Sequence, residues 1–249
     1  EGHEIWSYVE AGATQMDIKN APIIDAEGNI YFIGYAKGTV RIYSLDPEGN
    51  ERWVFDTDQH NDEYYSSPAF SADGSKIIAP VDRSIYCLVA TTGDKLWEYT
   101  PPGISGSFRA TPAVDDRDNI YLGTKTFGSS SFYAVKHDGS GLLWRNDLGA
   151  DLYSSPLLGN DGAVYVGSEL TNDGKRFHAL ERETGIARWS IPIQLDITWS
   201  SPALSEEGVL YVGSMGGYVY AIQSEATGFL PGAGSPRFHG GNASTGRRE

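Results

Sequence analysis

One triplet recurs five times along the chain: Asn20-Ala21-Pro22, Ser66-Ser67-Pro68, Ala110-Thr111-Pro112, Ser154-Ser155-Pro156 and Ser200-Ser201-Pro202, with prolines 46, 44, 44 and 46 residues apart. A fixed period of this size means one supersecondary unit, repeated, whose apolar faces are buried on its neighbours. Three further signals keep the same phase. Tyr-x-Gly stands at Tyr121-Leu122-Gly123, Tyr165-Val166-Gly167 and Tyr211-Val212-Gly213; it is stretched to Tyr31…Gly34 in the first unit and replaced by Ile78-Ala79-Pro80 in the second. Tyr43-Ser44-Leu45, Tyr86-Cys87-Leu88, Tyr133-Ala134-Val135, His178-Ala179-Leu180 and Tyr220-Ala221-Ile222 follow. Gly-x-x-x-Trp closes the unit at Gly49…Trp53, Gly93…Trp97 and Gly185…Trp189, with Gly139…Trp144 one residue longer. Four short apolar runs in roughly 45 residues is the period of a β-propeller blade.

Each unit reads as four antiparallel strands. Ala72-Asp73-Gly74 and Asn160-Asp161-Gly162 supply the positive-φ turn between runs one and two, and Thr92-Gly93 and Thr184-Gly185 that between runs three and four. Alternation in Ala163–Gly167 places Val164 and Val166 on one sheet face and Tyr165 on the other. The glycine of Tyr-x-Gly is expected to admit a neighbouring Trp, and the small residues at 44, 87, 134, 179 and 221 to mark a tight spot between blades.

The fifth unit ends at Thr227-Gly228 with no Trp, whereas Gly2-His3-Glu4-Ile5-Trp6 supplies a Gly-x-x-x-Trp at the N-terminus. Open strand edges template aggregation. The expectation is therefore an all-β, five-bladed propeller over residues 1–228, with blades near 18–55, 64–99, 108–146, 152–191 and 198–224, in which residues 4–9 form the outer strand of the last blade. The competing reading is that Trp6 ends an upstream blade of a longer gene. Residues 229–249, rich in Gly and Pro, read as a tail without strand pattern in which Phe238 could anchor against a blade. Asn242-Ala243-Ser244 matches a glycosylation acceptor formally.

The net charge of −14 argues against a nucleic-acid partner, which a basic surface would have to hold. No apolar run is long enough to span a bilayer as a helix. Cys87 is the sole cysteine, so no intramolecular disulfide forms, and its place among Ser and Ala in the other units marks it as a small core residue. A monomer is expected.

Ser200-Ser201-Pro202-Ala203-Leu204, Val209–Ser214, Tyr220-Ala221-Ile222 and Ala90–Trp97 resemble the pyrroloquinoline-quinone-like propeller repeat family, over roughly residues 2–228. The family includes quinone-dependent alcohol dehydrogenases and non-catalytic relatives, among them a lipoprotein of the outer-membrane-protein assembly machinery. The dehydrogenases look eight-bladed and many carry adjacent cysteines near the cofactor. Here Cys87 stands alone and no cofactor or calcium-ligand set matches, so the resemblance implies the fold and the non-catalytic, extracytoplasmic branch, with no cofactor and no metal.

Long loops fall on one face: 56–65, 100–109, 126–131 and 169–175. The residues entering the innermost strands there are Lys19, Tyr65, Arg109, Tyr153 and Trp199, with Tyr64, Phe108 and Asp151 as neighbours. Three aromatics and two cations around one axis suit a glycan, a peptide or an anionic molecule, through stacking and charge-assisted hydrogen bonds; equally, such side chains plug a channel mouth. The acidic loop Asp56–Glu63 reads as solvated rather than as a calcium loop, and Asp115–Asp118 as turn chemistry. His178 replaces a repeat Tyr, which favours a structural role; His60 alone lies on the long-loop face. Two functional readings follow. The first is a non-catalytic binding or scaffold protein with a protein or glycan partner. The second is an enzyme at the channel mouth, a quinone-dependent dehydrogenase or a polysaccharide-active lyase or hydrolase, with Asp151, Arg109 and His60 as candidates for the paired acid and base groups it would need.

Overall fold

The computed structural model describes residues 2–61, 63–126, 130–169 and 174–238. Every regular element is a β-strand, and the strands form five antiparallel sheets in chain order. The second consists of Ala69–Phe70, Lys76–Val81, Ser84–Val89 and Lys95–Tyr99; the fourth of Leu157–Leu158, Ala163–Gly167, Lys175–Glu181 and Ala187–Pro192. In the first and third sheets the inner strand is split. Met16–Asp17 and Ile23–Ile24 both pair with Ile30–Ala36, and Ser107–Phe108 and Ala113–Val114 both pair with Ile120–Lys125. The breaks fall at Asn20-Ala21-Pro22 and Ala110-Thr111-Pro112, where proline has no N–H to give a ladder.

The repeated triplet does more than interrupt a strand. Its middle residue links each sheet to the next: the N–H of Ala21 donates to Ser67 Oγ, Ser67 to Thr111 Oγ1, Thr111 to Ser155 Oγ and Ser155 to Ser201 Oγ, at 3.1, 3.3, 3.0 and 3.2 Å. Inner strands from all five sheets are thereby strung on one chain of hydrogen bonds, each worth about 1 kcal/mol.

The core lies between sheets rather than inside one. Tyr31, Ile33 and Trp53 meet Phe70, Ile77 and Tyr86; Ile85 and Cys87 meet Phe108 and Ile120; Tyr121 and Trp144 meet Leu152 and Val164; Tyr165 and Phe177 meet Leu204 and Leu210. Val164 and Val166 therefore bury in one cluster and Tyr165 in the next, as the alternation requires.

The Trp–Gly contact follows the repeat but not the expected glycine. Trp53 packs over Gly93, Trp97 over Gly139 and Trp144 over Gly185, each of them the turn glycine of the following unit. A Cβ on Gly93 would lie 2.6 Å from the indole, and its φ of 76° is itself glycine territory. Gly123 and Gly167 of Tyr-x-Gly instead face Leu152 and Ile197. The adjacent unit reaches them through its incoming loop, so the close approach is aliphatic.

Closure by the N-terminal segment is not what the structure shows. The fifth sheet holds three strands, Ala203–Leu204, Val209–Gly213 and Val219–Gln223, and residues 4–9 form no strand. The segment lies on the first sheet: Trp6 covers Gly49 and donates from Nε1 to the Pro47 carbonyl at 3.0 Å, and Tyr8 packs edge-on to Phe32 and Tyr43. Glu10 pins its end, accepting from Arg41 and Lys37 at 2.7 Å and from the Tyr43 hydroxyl at 2.9 Å.

The tail is more ordered than its composition suggests. Gly159 bridges Phe229 and Val114 bridges Ser235 in antiparallel fashion. Phe70 N donates to Ser235 Oγ, and Leu158 N to the Pro236 carbonyl. Residues 229–236 thus run past the inner strands of sheets two, three and four, and Gly234 lies so close to the Phe70–Ser71 backbone that no Cβ fits. Asn242-Ala243-Ser244 lies outside the described residues.

Candidate functional site

Lys19, Tyr65, Arg109, Tyr153 and Trp199 come together. All five line one cavity of ≈ 290 Å³, along with Ser67, Thr111, Ser155 and Ser201 of the triplets and Phe238 from the tail. Each of the five is the residue preceding its triplet, and hydrogen bonds between the triplets link the strands that carry them.

Both cations lie over the Tyr65 ring. The Lys19 ammonium lies 5.0 Å from its ring centroid and the Arg109 guanidinium 4.1 Å. Lys19 also sits 4.6 Å over Tyr64, whose hydroxyl donates to Asp17 at 2.7 Å; burial, then that hydrogen bond, hold the Tyr64 phenol protonated well above its ordinary range. Arg109 is clamped by Glu63, Nη2 to Oε1 at 2.6 Å, and its buried Nε has no hydrogen-bond partner. Across the bowl, Tyr153 and Trp199 pack at 4.7 Å between ring centroids. Burial, then the charges of Glu169 and Asp151, push the Tyr153 phenol upward.

Trp199 is the outlier of the set. Its φ is 55°, a left-handed value that a bulky residue adopts only under constraint, and 63% of its surface is exposed. Apolar burial does not account for an indole held out in a strained conformation.

The neighbours named from sequence divide. Phe108 is fully buried against Tyr133 and takes no part in the bowl. Asp151 is buried and accepts from Thr126 N and Ser130 Oγ at 2.7 and 2.6 Å, which anchors a loop. His60 is exposed, its Nδ1 3.0 Å from the Gly38 carbonyl, and lines a neighbouring groove with Asp17, Tyr35 and Lys37 that meets the bowl only at Lys19. Asp151, Arg109 and His60 therefore do not share a site. His178 is buried between Ser168 and Ser190 hydroxyls, a structural arrangement. Asp56 bonds Arg41 and Thr39, and Asp115 binds Asn119 and the Tyr121 hydroxyl, so both act as turn and strand fasteners. Glu63 and Phe238 are the members that sequence reading missed. Among the described residues no group of three His, Cys, Asp or Glu side chains could hold a metal ion, and no helix is long and apolar enough to cross a membrane.

The repeat phase, the sheet order and the bowl can be set against known proteins. The family model of the outer membrane protein assembly factor BamB matches residues 81–230. The chain belongs to the BamB family. A BamB from Shewanella oneidensis is 22% identical over 237 residues, covering 93% of this chain and 56% of that protein. The crystal structure of BamB from Moraxella catarrhalis superposes with a TM-score of 0.65 at 16% identity, over 86% of this chain and 64% of that one. The quinohemoprotein alcohol dehydrogenase of Comamonas testosteroni gives 0.62 at 15% identity, over 88% and 44%. These likenesses establish the β-propeller fold. The chain spans little more than half the length of the curated BamB it matches.

Proposed function

We propose that this protein is a non-catalytic, extracytoplasmic scaffold whose five sheets act as propeller blades, and that it binds a polypeptide segment of a partner protein in the bowl of Lys19, Tyr65, Arg109, Tyr153 and Trp199. The carrying observation is Trp199, strained and exposed at the rim of a cavity into which two cations and two tyrosines also point. Membership of a family described by outer-membrane-protein assembly favours a protein over a glycan as partner. The chemistry favours a segment pairing an aromatic side chain with a carboxylate. Stacking on Tyr153 and Trp199 would hold the first, and Arg109 and Lys19 the second. The triplet hydroxyls and the bowl's fixed floor keep the reorganisation cost of binding low.

A peptide array probed with the labelled protein tests this. Aromatic-plus-acidic peptides should be enriched, and Trp199→Ala and Arg109→Ala should each weaken the best of them about tenfold or more, ~1.4 kcal/mol. An array without signal, or peptide binding indifferent to both substitutions, would contradict the proposal. Selective binding to a glycan array would reassign the ligand.

A further inference from the structure

Three tyrosines make one wall on the long-loop face. Tyr35, on the strand Ile30–Ala36 of the first sheet, stacks on Tyr64 with ring centroids 6.0 Å apart and planes at 13°, and Tyr64 stacks on Tyr65 at 6.4 Å and 21°. Tyr65 lines the bowl, whereas Tyr35 and Tyr64 line the neighbouring groove of ≈ 540 Å³. Lys19 lines both, its ammonium over the Tyr64 and Tyr65 rings at 4.6 and 5.0 Å. Bowl and groove therefore adjoin along a stacked aromatic wall, with a cation at the divide.

Backbone hydrogen bonds fix the groove in shape. Lys37 and Gly38, at φ 53° and 88°, form the two-residue turn between Ile30–Ala36 and Thr39–Leu45. The loop after Glu51–Asp56 is zipped to that hairpin: Thr57 N donates to the Val40 carbonyl at 3.1 Å, and Val40 N to the Gln59 carbonyl at 2.7 Å. His60 completes the join. A carbonyl only accepts, so His60 Nδ1, 3.0 Å from the Gly38 oxygen, carries the proton, and Nε2 is the acceptor of the neutral ring. A groove pinned in this way costs little to reorganise on binding.

The cations follow the same line. Lys37 lines the groove, Lys19 the divide and Arg109 the bowl, in a chain whose net charge is −14. Each is oriented by a carboxylate: Glu10 at 2.7 Å, Asp17 at 3.7 Å and Glu63 at 2.6 Å respectively. The Lys37 ammonium carries three N–H donors, so it can hold a ligand carboxylate together with Glu10. We infer that the groove is a second subsite for the same partner segment. The chain that places its aromatic ring and first carboxylate in the bowl runs on over Lys19 and past Tyr64 and Tyr35. It sets a second carboxylate on Lys37 and a backbone N–H or hydroxyl on His60 Nε2. The inference rests on the reading of the bowl as a peptide site. The two ring-to-ring steps span about 12 Å at most, which about four residues of extended chain cover at ~3.3 Å each.

Blocked Trp-Asp and Asp-Trp dipeptides, and the same dipeptides extended by Ser-Glu-Ser-Glu on either side, test this in NMR titrations of the full chain. One direction of extension should tighten binding about tenfold or more. Lys37→Asn and His60→Ala should each remove most of that gain, the loss falling on the extended peptide and not on the dipeptide. Asparagine tolerates the positive φ at this turn, and Glu10 keeps Arg41 and Tyr43 when Lys37 is changed, so melting temperatures should stay near wild type. Extensions that bind no better than the dipeptides, or a gain that survives both substitutions, would overturn the inference and leave the bowl reading standing. An extended peptide that needs Lys37 but ignores Trp199→Ala would overturn the continuity of groove and bowl. No binding by any of these peptides would end both readings.

Discussion

Turn glycines are the residues on which sheet-to-sheet packing depends. Gly93 and Gly185 combine a positive φ with an indole where a Cβ would go. Gly93→Ala should cost about 2–3 kcal/mol in urea denaturation, against about 1 kcal/mol for Gly38→Ala, which has the same backbone hand but open space around it. Equal losses would show that the indole contact is unimportant. At Cys87, burial pushes the thiol pKa up to about 12, so the native protein should not react with Ellman's reagent until denatured. The sequence announced these residues unevenly. Cys87 was legible because four other units hold Ser or Ala in its place. The Trp partner was not, because the turn glycine and the Tyr-x-Gly glycine both recur with the repeat and only the packing of one unit on the next shows which of them meets the indole. Glu63 gave no signal either: it stands in an acidic loop, and its bond to Arg109 depends on the fold of two units.

At the level of elements, the five triplets were legible as a repeat, and the site residues followed from them by symmetry. What the middle hydroxyl does was hidden, since its acceptor role lies on the neighbouring sheet. Ser155→Ala should cost about 1 kcal/mol, by leaving the Thr111 N–H without its acceptor, and Ser155→Thr should recover most of it. The N-terminal segment adds a pH dependence. Burial raises the Glu10 pKa, but hydrogen bonds from Lys37 and Tyr43 and the charge of Arg41 outweigh it and hold the carboxyl below the ordinary glutamate range. A depressed folded-state pKa stabilises fully above the unfolded value and is lost as pH falls through the folded one. Wild type should therefore melt above Glu10→Gln at neutral pH, and the gap should close on acidification below the ordinary glutamate value. A gap independent of pH would remove the charge from the account.

For the whole molecule, an all-β chain of repeated antiparallel sheets was readable from period alone, because each unit buries its faces on its neighbours. The ends were not, since a Gly-x-x-x-Trp motif identifies an outer strand without saying which sheet it joins. Nor did the Gly- and Pro-rich tail declare its path, for it is held through backbone bridges and Ser235 rather than through an apolar alternation. Gly234→Val should lower the melting temperature by ~3 °C or more, because the Phe70–Ser71 backbone leaves no room for the side chain; an unchanged melt would mean that the tail is not seated there. The same tail supplies Phe238 to the bowl, which joins the axis of the fold to its proposed site. The most direct measurement is a crystal structure of the protein with the tightest peptide from the array. The account predicts the peptide's aromatic ring against Tyr153 and Trp199 and its carboxylate on Arg109 or Lys19; a peptide bound elsewhere, with the bowl occupied only by solvent, would contradict it.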